Sequence, residues 1–526
     1  MPLTGAMFLG AERRPGRGPA IVSLDPRTDT PLEPGYGSGT PEDVARACEL
    51  AELAAPGYRA TSPERRATFL ERIADRIESL GAELIVRAVA ESGLPADLVT
   101  GERDRTTGQL RLLAAEVRYG AWAEVRIDRP LPDRVPEPRP DLRERHIGIG
   151  PVAVFGARDF PLGFSVAGAD STAALAAGCP VVLKAHSAHL GTSELVGSAV
   201  AAAVRESELP EGVFSLLFGS GAELGRALVA DPRIRAVGFT GSRAGGEALM
   251  RTVATRPEPV PVYAEMSSVN PVFLLPGALR DRSAALVEGF IGALTAGAGQ
   301  FRTRPGLLAA VNGPELAEFL AAAGRAVSAL MARTVGTHAL HDAYERAAAA
   351  LAAVEDVREI AAGQPGEGAN TCAPRLLTTP AETFLDRPEL QDRPFGAAAI
   401  VVTCRDTSQL IEVARALRGQ LTATVHHGPG DHDTAAALLP LLETRAGRVL
   451  YDGWPTAVEV SHAMVHGGPY PATSDVRTTS VGTLSVRRFL RPVCYQDVPA
   501  DFLPADVSDG NPRDLPRRLD GAREHR

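Results

Sequence analysis

Lysine is nearly missing from this sequence of 526 residues. Of its 55 basic side chains, 54 are arginine and one, Lys184, is lysine. Abundant arginine and alanine point to a GC-rich coding bias that has put arginine at almost every surface-charge position. The lysine that remains sits where a compact ammonium matters and a planar guanidinium does not fit, or it is a chance survivor. Aromatic residues are also scarce, at 5%. No apolar run approaches the ~18 residues that a membrane-spanning helix requires. The five cysteines, Cys48, Cys179, Cys372, Cys404 and Cys494, lack metal-ligand spacing and are too few for a disulfide scaffold. No excess of basic charge is present either. The formal charge is -9, which argues against nucleic acid or an anionic membrane as partner. The start, MPLTGAMFLGAERR, has no basic segment before its short apolar run and does not read as a secretory signal, so the cytoplasm is the expected compartment. What is there, 44% hydrophobic and 23% charged residues, suits a globular chain of two or three domains.

Residues 41–120 carry apolar side chains at three- and four-residue spacing behind Pro or Ser-Pro starts, which predicts helices. Five prolines and alternating charge in 126–146 exclude a central strand or helix and predict an extended arm or linker. From 150 to 266 short apolar runs (VAVFG, PVVLKAH, VFSLLFG, IRAVGFTG, VPVYAEM) alternate with helical stretches. That alternation predicts an α/β fold with a parallel sheet covered by helices, binding its ligand at the carboxyl ends of the strands. Two turns fit such a site: one follows Lys184, the other is Gly241-Ser242 just before a helix. Residues 267–478 read as a second α/β unit. The tail from about 504, rich in Pro, Asp and Arg, is expected to be poorly ordered.

Collinear blocks run through most of the chain: ESGLP at 91–95, RTTGQLRL at 105–112, GPVAVFG at 150–156, ALAAGCPVVLKAH at 174–186, AVGFTGSRAGG at 236–246, AEMSSVNPVF at 264–273 and VSHAMVHGGPYPATSDVRTTSVGT at 460–483. Together they resemble the aldehyde dehydrogenase superfamily, nearest to the NADP-dependent α-ketoglutarate semialdehyde dehydrogenases. The resemblance implies a Rossmann-type parallel-sheet cofactor domain (1–125 and 147–264), an α/β catalytic domain (265–478), a small β oligomerisation arm (126–146 and 479–500) and a tail (501–526). It also implies a homodimer or homotetramer, NADP (or NAD) as cofactor, and no metal.

That family needs a cysteine thiolate to attack the aldehyde, an asparagine to hold the oxyanion, a glutamate as general base, and a second glutamate on the ribose beside the nicotinamide. By resemblance the general base is Glu265. Lys184 meets the adenosine ribose, Gly241, Ser242 and Gly246 form the diphosphate turn, and Phe155 lies on the cofactor side. His186 is placed near a 2′-phosphate or is a plain surface histidine. Three positions differ. GQFCT reads Gly299-Gln300-Phe301-Arg302-Thr303, so arginine stands for the nucleophile. SNFP reads Arg158-Asp159-Phe160-Pro161, so aspartate stands for the oxyanion amide. EEVFGP reads Asp392-Arg393-Pro394-Phe395-Gly396-Ala397, so arginine stands for the ribose clamp. Phe395 remains on the cofactor side, and Arg393 meets a phosphate or carboxylate or is a solvated charge.

Arginine stays protonated and offers no nucleophilic lone pair. An ionised Asp159 would repel a developing oxyanion. The two replacements make sense as a pair, because in the family fold both positions face one carbonyl oxygen and a charge-assisted contact would bridge them. The expectation is a diverged family member that binds NADP(H), lacks thiol-dependent aldehyde oxidation, and either redirects the site through Glu265 with Arg302 holding an anionic small-molecule substrate, or serves as a non-catalytic partner of an active enzyme. An abandoned site drifting without a new role, and an ordinary NADP-dependent semialdehyde dehydrogenase with another nucleophile, are the remaining readings.

Overall fold

The computed structural model describes residues 2–219, 221–392 and 396–524. Two seven-stranded sheets and a five-stranded sheet organise the chain. In the first sheet the parallel strands run in the order Val262–Glu265, Ala236–Thr240, Val152–Phe155, Val181–Lys184, Phe214–Leu217. The strands Ala6–Leu9 and Glu12–Pro15 extend it antiparallel. Succession runs outward from Val152–Phe155 in both directions, so this strand marks the switch point where such sheets open a crevice. The register sets Phe155 opposite Lys184 and Thr240 opposite Glu265, which collects these residues at one carboxyl edge.

Helices cover this sheet. Pro41–Arg59 starts on a capping box: the Thr40 hydroxyl accepts from the Asp43 N–H, and the Asp43 carboxylate accepts from the Thr40 N–H at 2.8 Å. The helical periodicity over 62–92 is divided in the structure, into Pro63–Ser79 and Gly81–Ser92. Gly81 breaks it by taking φ +54, a left-handed conformation in which glycine escapes the Cβ clash.

The second sheet is parallel from Arg375–Pro380 through Ala398–Cys404, Leu307–Val311, Pro271–Leu274 and Gln420–His426 to Ala446–Tyr451, with Arg358–Ala362 antiparallel at one edge. The chain leaves the first sheet at the carboxyl end of Val262–Glu265 and enters the second at the amino end of Pro271–Leu274. Five residues make that passage, so the carboxyl edge of one sheet meets the amino edge of the other.

The third sheet corrects two expectations. Its order is Leu490–Gln496, Leu142–Gly148, Val125–Asp128, Arg517–Leu519, Ala522–Arg523. Two of its interior strands thus include parts of 126–146, and the five prolines occupy the excursion between them, at positions outside its Leu131–Arg139 bridge, so none is asked for a ladder N–H. The tail is folded rather than loose. Arg517–Leu519 pairs in parallel with Val125–Asp128, Val507 and Leu515 are buried, and Asp506 ion-pairs with Arg145 and Arg513. Deleting residues 504–526 should therefore uncover Val125 and Ile127, leave the nearly buried Arg143 and Arg145 without Asp509 and Asp506, and lower the thermal unfolding midpoint by about 5 °C or more. A melting curve unchanged by the deletion would refute that account.

Candidate functional site

The passage between the sheets builds the site. Asn270 adopts φ +49, and its side-chain amide donates to the carbonyls of Arg302 (2.6 Å) and Arg304 (2.8 Å), fixing the turn that precedes Leu307–Val311. Arg304, wholly buried, donates to Gly299 O at 2.8 Å from within the same turn. Gly299 has φ +74, and a Cβ there would lie 2.3 Å from the Ala397 nitrogen, so only glycine allows this loop to close.

Arg302 points from this turn towards the first sheet. Its Nη2 lies 3.0 Å from Asp159 Oδ2, with the two side chains 4% and 0% exposed. Its Nη1 donates to Gly241 O at 3.0 Å and Met266 O at 3.2 Å, the carbonyls just past two strand ends. Asp159 is gripped from the other side as well, where Arg158 Nε donates to Oδ1 at 2.8 Å. One carboxylate between two guanidiniums, one of them tied to two carbonyls, spans the crevice. This corrects the placement of Arg302 as the holder of an anionic substrate, because its charge is already met by Asp159 within a buried contact.

Glu265 is fully buried at the end of its strand, and its Oε2 accepts from His466 Nδ1 (2.7 Å) and Ser480 Oγ (2.8 Å). Burial alone would raise its pKa; the His466 imidazole and the Arg302 guanidinium outweigh it and bring it to about 2. Beside this group opens a cavity of about 310 Å³, walled by Phe160, Phe164, Phe301, Arg302, Arg105 and His466 among others. Phe160 and Phe301 stack with centroids 5.0 Å apart. Arg105 packs over Phe164 at 5.9 Å, and among the described residues no carboxylate comes within ion-pair distance of it. Burial draws its guanidinium below the ordinary arginine range. Glu102, also in the wall, accepts the N–H groups of Leu162 (2.8 Å) and Gly163 (2.7 Å) and so pins the loop after Asp159; burial pushes its carboxyl up to about 7.

No cysteine lines this cavity. Cys48, Cys179, Cys372 and Cys404 are buried elsewhere, and burial pushes the Cys179 thiol up to about 11 and those of Cys372 and Cys404 to about 12. Their thiolates are scarce at neutral pH.

The remaining sequence-derived positions sit along the carboxyl edge of the first sheet. Lys184 ends its strand with Nζ 3.3 Å from Ala185 O, and burial pushes its ammonium down to about 8. A half-desolvated cation whose other donors have no protein acceptor among the described residues suits ribose hydroxyls or a phosphate. Ser242 caps the helix Arg243–Ala254, its hydroxyl accepting from the Gly245 N–H at 3.2 Å. The first turn of that helix is held close to the strands: a Cβ at Gly246 would meet Met266 Sδ at 2.8 Å, and one at Gly241 would meet the Phe239 ring at 2.2 Å. Open N–H groups there suit a diphosphate. Phe155 lies edge-on to Phe239, centroids 6.1 Å apart, under this turn. His186 is held neutral: burial, with His189 and Lys184 nearby, lowers its pKa well below the usual value, and its Nδ1 accepts from the Ala188 N–H at 3.1 Å. It offers one neutral donor and no charge to a 2′-phosphate. Arg393 and Phe395 lie outside the described residues. The donor set thus fits the adenosine-diphosphate half of a dinucleotide, and Arg302 occupies the space beside Gly241 and Met266.

Sequence reasoning did not assign Arg158, Arg105, Glu102, His466 or Ser480. Arg105 falls in the block at 105–112, and His466 and Ser480 fall in the block at 460–483, which was the available signal. The pairing of Glu265 with a residue 201 positions away leaves no local trace.

Comparison with known proteins agrees with this architecture. The aldehyde dehydrogenase family model matches residues 15–469. An α-ketoglutaric semialdehyde dehydrogenase 2 of Azospirillum brasilense is 50% identical over 100% of both chains. An α-ketoglutaric semialdehyde dehydrogenase of Acinetobacter baylyi is 43% identical over 98% of both. Among solved structures, a lactaldehyde dehydrogenase superposes with TM-score 0.79 at 21% identity, covering 93% of this chain and 98% of its own. A betaine aldehyde dehydrogenase of Staphylococcus aureus in complex with NAD+ gives 0.80 at 18% identity, over 95% and 99%. The chain has the α/β aldehyde dehydrogenase fold and belongs to the aldehyde dehydrogenase family.

Proposed function

We propose that this protein binds NADP(H), with NAD as the alternative, mainly by the adenosine-diphosphate half, and that it performs no thiol-dependent aldehyde oxidation. One observation carries the reading: position 302 holds a guanidinium paired with Asp159 and bonded to Gly241 O and Met266 O. Lys184, the Ser242-capped helix turn and Phe155 hold the nucleotide; Gly241 and Gly246 let it approach. A bound nicotinamide would supply a hydride acceptor. Arg302 crowds its place, so affinity comes from the phosphate and ribose contacts. The small-molecule substrate is a carboxylate held by Arg105, in keeping with the anionic semialdehyde that the two relatives are named for. The protein acts in the cytoplasm as a homodimer or homotetramer joined through the five-stranded sheet.

A second reading, an active NADP-dependent semialdehyde dehydrogenase, is favoured by 50% identity over the whole chain with the Azospirillum relative. It requires another nucleophile in the cavity. Titration of NADPH by fluorescence, followed by an assay of 2,5-dioxopentanoate and simple aldehydes, separates the two. Binding without turnover supports the first, and robust turnover by wild type supports the second.

Lys184→Gln should weaken binding of 2′,5′-ADP about tenfold or more. The sign of the pH dependence follows from burial. The ammonium, lowered to about 8 in the folded protein, is charged below that pH and neutral above it. Nucleotide affinity should therefore hold at pH 7 and fall as pH rises through 8, with proton uptake on binding above it. Calorimetry in buffers of different ionisation enthalpy reads both effects. Affinity flat to pH 9 in wild type would remove Lys184 from the contact.

A further inference from the structure

Glu265 is sealed from the cavity, and His466 is not. The carboxylate is fully buried, Oε2 already accepts two hydrogen bonds, and Glu265 is absent from the cavity wall that includes His466. Of the two imidazole nitrogens, Nδ1 is bound to Glu265, and among the described residues nothing hydrogen-bonds Nε2. The ring is steadied by Phe164 at 5.9 Å between centroids, and the backbone N–H of His466 donates to Thr479 Oγ1 at 2.9 Å. A carboxylate on one nitrogen with the other facing a ligand space is the arrangement that makes imidazole a directed base, since it fixes both tautomer and orientation.

We propose that His466 Nε2 is the proton-transfer group of this cavity, acting on the hydroxyl of a short hydroxy-carboxylate or on a hydrated carbonyl, and that Glu265 is its positioning residue. This rests on the reading that the cavity holds a small carboxylate. In the step, the Nε2 lone pair takes the hydroxyl proton, the O–H electron pair stays on oxygen, and Nδ1–H remains bonded to Glu265. The buried carboxylate stabilises the imidazolium without taking a proton itself. Arg105, whose guanidinium lies 5.9 Å from the same Phe164 ring, would hold the far carboxylate of a short chain. The general-base position inherited from the family would thus act through histidine, one residue further out.

The test is carbethoxylation of the full-length wild-type protein by diethyl pyrocarbonate, with His466 followed by peptide mass spectrometry. His466 should label readily. Saturating 5-hydroxypentanoate should slow that labelling about fivefold or more, 1,5-pentanediol should not, and Arg105→Gln should abolish the protection. Glu265→Gln, which offers Nδ1 an amide in place of a carboxylate, should slow labelling about tenfold. An unreactive His466 beside labelled exposed His338 would overturn the proposal, as would equal labelling rates in wild type and Glu265→Gln. No protection by 5-hydroxypentanoate would also overturn it. Intact NADPH binding with an unreactive His466 refutes this inference alone. Labelling and protection as described without nucleotide binding refute the nucleotide reading alone.

Discussion

Arg302→Cys alone should leave aldehyde oxidation near the wild-type baseline, and Arg302→Cys/Asp159→Asn should exceed it by about a thousandfold. The single substitution supplies sulfur but leaves the Asp159 carboxylate, now held by Arg158 alone, with its Oδ2 turned to position 302. That charge disfavours the thiolate and repels the oxyanion that thiohemiacetal formation creates. Removing one oxyanion donor from an acyl-transfer site costs about a hundred- to thousandfold, and an opposing charge costs more than an absent donor. Asparagine at 159 would restore the donor, and the shortened side chain at 302 would free Gly241 O and Met266 O, now bonded to the guanidinium. Single-turnover assays with NADP+ and 2,5-dioxopentanoate, together with mass detection of an acyl adduct at position 302, read the outcome. Equal rates for the single and double variants would show that Asp159 does not oppose the chemistry, and an acyl adduct trapped on wild type would refute the loss of thiol chemistry.

Asp159→Ala should be the most damaging substitution for stability in the site, at about 3–5 kcal/mol. It leaves Arg302, 4% exposed, and Arg158 facing one another without the carboxylate between them. Arg302→Ala should cost less, because Arg158 still neutralises Asp159. The double variant Asp159→Ala/Arg302→Ala should fall short of the sum of the singles by about 1–3 kcal/mol, the coupling of a close buried pair. Denaturant titration of the four proteins closes the cycle. Additivity would mean that the contact at 3.0 Å contributes nothing of its own.

Much of the first sheet is legible in the sequence because its strands are buried on both faces. Continuous apolar runs such as Val152–Phe155 and the Val-Val-Leu that opens Val181–Lys184, alternating with helical periodicity, have few other solutions. The tail is not legible, since its Pro, Asp and Arg content matches a disordered segment. Its order comes from pairing Arg517–Leu519 with a strand almost 400 residues earlier and from the ion pairs of Asp506. The prolines of 126–146 misdirect for the same reason: composition averages over a segment, whereas only the residues between the two strands are irregular. In the site, the motif stretches around Asp159 and Arg302 mark those two positions, and opposite charge suggests their contact. It does not show that Arg158 shares Asp159, nor that Glu265 is turned towards His466. Both depend on where separate loops meet in space, which periodicity does not encode.

The C-terminal hairpin makes the two borders of the five-stranded sheet unlike each other. By lying along Val125–Asp128, it ends that side of the five-stranded sheet on the short strand Ala522–Arg523, whereas among the described residues the opposite side ends on Leu490–Gln496, seven residues long and carrying the solvent-facing Cys494. Strand addition to this sheet would therefore favour the longer border. Two copies that met there through a twofold axis would satisfy each other and stop, whereas long borders open on both sides would invite endless fibres.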